Sequence, residues 1–165
     1  MKVITLWQPW ASLIAVGAKK FEKRTWGTAY RGLLAIHASK KKPSDILRGI
    51  DIRIIKKMGQ AFGRDDPDNF KKVIAYMDTL PRGAVTATGE LVGCWEISNY
   101  TRYGCVSIGV YSDIIISPNS NEYMFGDWRP GRFAWEIADV KKLDKPIPAR
   151  GAQGLWDWHD PELEA

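Results

Sequence analysis

An α+β domain built on a curved β-barrel with flanking helices is what this sequence predicts, on three observations. The first forty or so residues read as strand, helix, strand, strand. Residues 44–80 hold two stretches with apolar side chains at helical spacing. From Gly83 the chain becomes rich in β-branched residues, and Gly89 and Gly93 fall inside an otherwise continuous strand, where glycine marks the bulges of a tightly bent sheet. At 165 residues and 45% hydrophobic, with no internal repeat or low-complexity tract, the chain is expected to form one domain over residues 1–165.

The elements follow in order. Pro9 suits a first helical turn, since its missing N–H would be unpaired there, and Trp10, Leu13, Ile14 and Ala18 recur at helical spacing. Gly17 or the pair after it ends that helix. From Lys20 to Trp26 the chain alternates as a strand, with Phe21, Lys23 and Thr25 on one face and Lys20, Glu22, Arg24 and Trp26 on the other. Tyr30, Arg31 and Gly32 then lead into the apolar strand LLAIHA.

Ser44 reads as the N-cap of a helix running to about Met58, with Ile46, Leu47, Ile50, Ile54 and Met58 as its apolar stripe and Arg48, Arg53, Lys56 and Lys57 on other faces. Residues 59–68 form a surface connection. Asp66-Pro67 signals a second helix, with Phe70, Val73, Ile74 and Met77 facing inward until Leu80-Pro81 stops it. AVTATGELVGCWEI and RFAWEIADVKKL read as strands and CVSIGVYSDIII as another strand or a pair of strands, with a long polar and aromatic loop, SPNSNEYMFGDWRPGR, leading to the last.

One segment carries more chemistry than a core needs. Gly17, Lys19, Glu22 and Arg24 spell G-x-K-x-x-E-x-R, and the alternation makes Glu22, Arg24 and Trp26 project together beside Lys19. Such a group can hold an anion against lysine and arginine, stack a flat ring on tryptophan and bond a base edge with glutamate. On residue types alone it reads equally as a cross-strand ion-pair network with Trp26 in the core.

This signature, with its flanks Gln8-Pro9-Trp10-Ala11-Ser12-Leu13, Arg24-Thr25-Trp26 and Tyr30-Arg31-Gly32, resembles the ASCH domain of the PUA-like superfamily, in the form found in the activating signal cointegrator. FGDWRPGRFAWEI and PARGAQGLWDW resemble closing strands of the family's bacterial and phage branch. The resemblance implies a PUA-like barrel and binding of RNA or a modified nucleotide in a basic, tryptophan-lined cleft, with DNA also open as a ligand. It places Gln8, Trp10, Lys19, Glu22, Arg24, Trp26, Tyr30 and Arg31 at the site. Arg132, Arg150 and Gln153, polar and close to glycines near the end of the chain, are added as binding candidates, while Trp135 and Trp156 read as core.

Relatives of this kind include amidohydrolases acting on N4-acetylcytidine, whose catalytic lysine occupies the position of Lys19, and proteins proposed to cleave single-stranded RNA. The alternative function is therefore a hydrolase using Lys19 and Glu22, although those amidohydrolases carry threonine at the position of Glu22. A transcription-related protein-interaction module is a third class. It predicts an exposed apolar groove and no salt-sensitive affinity for nucleic acid.

Composition narrows the rest. The net charge of +5 favours an anionic partner, and eight tryptophans suit a protein that stacks bases. Lys40-Lys41-Lys42 counts as a supporting basic patch. With two histidines, His37 and His159, and no zinc-type spacing, no metal or other cofactor is expected, while a divalent ion held by acids and phosphate is left open. His37 reads as a satisfied core histidine. Cys94 and Cys105 read as reduced thiols of a cytoplasmic protein, and neither a membrane span nor a secretory leader is evident.

Overall fold

The computed structural model describes residues 1–64, 66, 69–100, 106–108 and 114–159. Cys105, Pro67 and the middle of CVSIGVYSDIII lie outside them. The strands are β1 (Lys2–Leu6), β2 (Phe21–Arg24), β3 (Gly32–Ala38), β4 (Ala84–Tyr100), β5 (Val106–Ile108), β6 (Ile115–Ile116), β7 (Phe133–Pro148) and β8 (Leu155–Asp157). The helices are α1 (Trp10–Ala15), α2 (Pro43–Ile46), α3 (Ile52–Ala61), α4 (Phe70–Met77) and α5 (Asn121–Met124).

Six strands form one mixed sheet in the order β2-β7-β4-β3-β1-β8, with β5 and β6 added beside β4. β1 and β3 run parallel, as the α1 crossover and its return allow, and the other pairs are antiparallel. The glycine reading of β4 holds in detail: the ladder to β7 slips between Thr88 and Glu90 and between Leu91 and Gly93. These slips curve the sheet.

The sheet does not close into the expected barrel. Its path ends at β2 and β8, with no ladder joining the two ends among the described residues. The reason is α1, which packs against β3, β4 and β7 and places Ala11 and Ile14 in one core with Ile4, Leu34, Ile36, Leu91 and Trp135. A helix fills the interior that a closed barrel would fill with strand side chains. Where β2 approaches β1, the link is a side chain: Arg24 Nη2 donates to the Thr5 carbonyl at 2.9 Å.

The expected helix from Ser44 to Met58 is two helices. Gly49, at φ +81°, breaks it, because a left-handed residue cannot continue an α-helix. Pro43 at the first turn and Lys42 at the N-cap start α2, while Asp51 caps α3 by accepting from Arg53 N–H. Ser44 is inside α2, and its N–H donates to Asp78. The second helix begins later than Asp66, at Phe70, capped by Asn69 accepting from Lys72 N–H. Gly59 belongs to α3 rather than to a surface connection, since a Cβ there would meet Val73 Cγ1 at 2.7 Å and push α3 off α4. Leu13, Leu47, Ile55, Met58, Val73 and Met77 form this helical core.

Candidate functional site

The geometry of the site begins at the end of α1. Gly17, at φ +76°, turns the chain so that the N–H groups of Ala18 and Lys19 both reach the Leu13 carbonyl. Lys19 therefore enters β2 with its side chain folded inward, only 2% exposed. Its ammonium donates to the Phe21 carbonyl and to Glu22 Oε2, the latter at 2.9 Å. Arg24 Nε stands 3.5 Å from the other Glu22 oxygen. Burial pushes the Glu22 carboxyl up, but Lys19 and Arg24 together outweigh it and hold the group below its ordinary range.

Lys23 is the residue that strand alternation concealed. It points away from Glu22 along β2, yet the loop predicted between 117 and 132 folds over it and contributes the short helix α5. Ser120 caps that helix by accepting from Tyr123 N–H. Glu122 accepts from Lys20 N–H at 2.6 Å, Phe21 N–H at 3.0 Å and Lys23 Nζ at 3.0 Å. The ammonium also donates to the Phe21 carbonyl at 2.7 Å and stands 4.0 Å from the Trp128 ring centre. Gly126 makes room for it, since a Cβ there would fall on Lys23 Cε and Nζ. Burial and the nearby Lys19 charge, against the pull of Glu122, bring the Lys23 amine down to about 7.

Lys19, Glu22, Lys23 and Arg24 border a cleft of 660 Å³ at the seam between β1 and β2. Lys19, Glu22, Lys23, Arg24 and Arg132 form its charged wall, and Trp7, Trp10, Ile50, Ile54, Met124 and Phe125 its apolar wall. Trp10 is held by its Nε1–H to the Phe125 carbonyl at 2.9 Å. Ile50 and Ile54 pack against the helical core, as expected, and also reach the cleft, while Ile55 is buried within that core. Asp127 sits at the rim, 3.5 Å from Arg132 Nη1, and its bonds to Arg129 hold it below its ordinary value. The Nε atoms of Arg24 and Arg132 are both buried without a hydrogen-bond partner among the described residues.

The structure thus brings together five of the sequence candidates: Trp10, Lys19, Glu22, Arg24 and Arg132. The other six lie elsewhere. Gln8 is buried beneath α1, where its amide bonds the Pro81 carbonyl and both the hydroxyl and N–H of Ser12. Trp26 does not project with Glu22 and Arg24. It lies beyond the end of β2, neither core nor cleft, with its ring edge-on to Trp135 at 4.7 Å and its carbonyl accepting from that indole. Tyr30 and Arg31 bond the backbone of their own loop. Arg150 and Gln153 are exposed.

Sequence reasoning missed Trp7, Lys23, Glu122 and Asp127. Trp7 stands beside the quoted QPWASL flank, so position alone signals it; Glu122 carries no local signal, because it acts from about a hundred residues away. His37 is buried as expected, with Nε2 3.1 Å from the Ala149 carbonyl, and burial keeps it below its ordinary value. Cys94 is a free, partly buried thiol that accepts from Thr28 N–H. No cluster of three or more metal-ligating side chains occurs among the described residues. Nor is any described helix long and apolar enough to cross a membrane.

A single α+β domain with the G-x-K-x-x-E-x-R side chains gathered on one cleft wall has the form of an ASCH domain. That family's match extends over residues 4–147, and the chain belongs to it. Over 41 residues the chain is 51% identical to activating signal cointegrator 1 of Homo sapiens and 49% identical to that of Mus musculus. The matched stretch is 25% of this chain, and the chain spans only about 7% of the length of those relatives. ASCH domains are PUA-like and generally associated with RNA binding.

Proposed function

We propose that the cleft binds RNA or a modified nucleotide, with the anionic group against Arg24 and Arg132 and the base against Trp10. One observation carries this reading. Two arginines on the same cleft each keep a buried Nε without a hydrogen-bond partner among the described residues, that of Arg24 no nearer than 3.5 Å to Glu22, and a ligand acceptor would satisfy such donors. Arg24 and Arg132 stand on the cleft wall beside Lys19, which puts cationic donors where an anionic group can be held.

The test is an anisotropy titration of labelled single-stranded RNA at two salt concentrations, with R24A and R132A beside the native chain. Salt-dependent binding that weakens in both variants supports the reading. Unchanged affinity in the variants overturns it.

A second reading, hydrolysis, is favoured by the 2.9 Å pairing of Lys19 with Glu22 next to the Lys23 amine, which burial brings down to about 7. In it, Lys19 and Arg24 stabilise developing negative charge, and Lys23 or Glu22 accepts the proton of the attacking water. Mass spectrometry of the recovered RNA decides this. Shortened or deacylated RNA from the native chain, and intact RNA from E22Q, identifies a hydrolase; intact RNA from both leaves binding alone.

A further inference from the structure

The indole of Trp7 and the run Lys40–Lys42 are more than the cleft wall requires. Trp7 follows β1 at one corner of the cleft and is 49% exposed. Lys41 reaches over it, its Nζ 4.5 Å from the ring centre. The two meet because β1 and β3 are parallel and end side by side: Leu6 is level with Ala38, and Ser39 N–H donates to the Leu6 carbonyl at 2.8 Å. Lys40 is fixed by its stem, which lies against Gly83 where a Cβ would meet Cγ at 3.0 Å. All three lysines are exposed, and no acidic side chain pairs with them among the described residues.

An exposed aromatic face beside cations at successive chain positions is the arrangement that holds single-stranded nucleic acid, the ring stacking a base and the cations following the backbone. The cleft itself is of a size that takes one small-molecule-sized unit, within the usual range of roughly 300–1,000 Å³. A free nucleotide would be contained in it and leave the outer platform unused. A duplex would present no unstacked base to the indole.

We infer that Trp7 and Lys40–Lys42 form a flanking subsite for a single-stranded RNA chain leaving the cleft, so that the ligand is a strand rather than a free nucleotide. The inference rests on the reading of the cleft given above. A base adjoining the one in the cleft stacks on Trp7, and the Lys41 ammonium moves from the ring to the next phosphate.

The experiment is anisotropy with 5′-labelled random-sequence RNAs of two, four and eight nucleotides, over a series of salt concentrations. Affinity is expected to rise roughly tenfold or more from the shortest to the longest RNA, the contribution of one stacked base and its phosphates. W7A should remove most of that rise. K41A and K42A should each reduce the salt slope for the longest RNA by about 0.7, the loss of one phosphate contact on a single strand. Equal affinity at all lengths, or the same rise in all three variants, overturns the flanking subsite while the cleft reading stands. Failure of every length to bind overturns both.

Discussion

Two glycine-flanked polar segments, β2 with the turn before it and the stretch from Pro148 to Gly154, look alike in the sequence and behave oppositely in the fold. Along β2 the side chains are the structure. Lys19 and Lys23 hang from one carbonyl, that of Phe21, and Glu22 and Glu122 hold them from either side. In the later stretch the backbone is the structure. Ala149 bonds His37 with its carbonyl and Gly83 with its N–H, and Gly151 lies flat against the imidazole, while Arg150 and Gln153 face solvent. Polar residues near glycines mark a site only where the topology covers them. β2 is covered by α5 and its loop, and the later segment by nothing comparable.

Breaking the contrast should cost most at Glu22. E22A leaves Lys19 buried beside Arg24 with no carboxylate, and removal of one partner from a buried pair costs about 3–5 kcal/mol; chemical denaturation should show a loss of that size. In the other segment the largest effect should come from a residue without a side chain. G151A drives a methyl group into the His37 ring and should cost about 1–3 kcal/mol by the same measurement.

Lys23 sharpens the comparison through pH. In the unfolded chain its amine keeps the proton up to its ordinary 10.5, whereas in the fold it releases it at about 7. Between those values the unfolded state binds more protons, so stability should rise as pH increases from about 7 towards 10. K23M should flatten that rise in melting temperature measured against pH; an unchanged rise would assign it to other groups. R24A and R132A should each weaken RNA binding about tenfold, the loss of a charge-assisted contact. R150A and Q153A should move neither affinity nor stability beyond about 0.5 kcal/mol.

Much of this was legible from residue order, and the remainder fails for physical reasons. Glycine inside a β-rich stretch marked two of the slips of β4 against β7, at Gly89 and Gly93, because bulges are local, while the slip between Val85 and Ala87 carries no such signal. Alternation placed Lys23 opposite Glu22, which is correct for a strand in isolation. It hid the site because Glu122 returns from α5 to the backbone of Lys20 and Phe21, a contact set by tertiary fold. The apolar stripe at 46–58 assumed one helix; a single left-handed glycine splits it, and Ile50 and Ile54 keep their contact with the helical core while also lining the cleft. The same rule singled out Arg132, which the fold places on the cleft, and Arg150, which it does not, since only Arg132 precedes the strand that pairs with β2.

Arg24 carries one further consequence. Along the approach of β2 to β1, sheet continuity passes through its guanidinium rather than through peptide groups. A ladder of backbone hydrogen bonds offers no charged group to a ligand, whereas a guanidinium does. On the proposed reading, an anion in the cleft competes with the Thr5 carbonyl for this guanidinium, so binding is expected to change amide hydrogen exchange along the neighbouring end of β1.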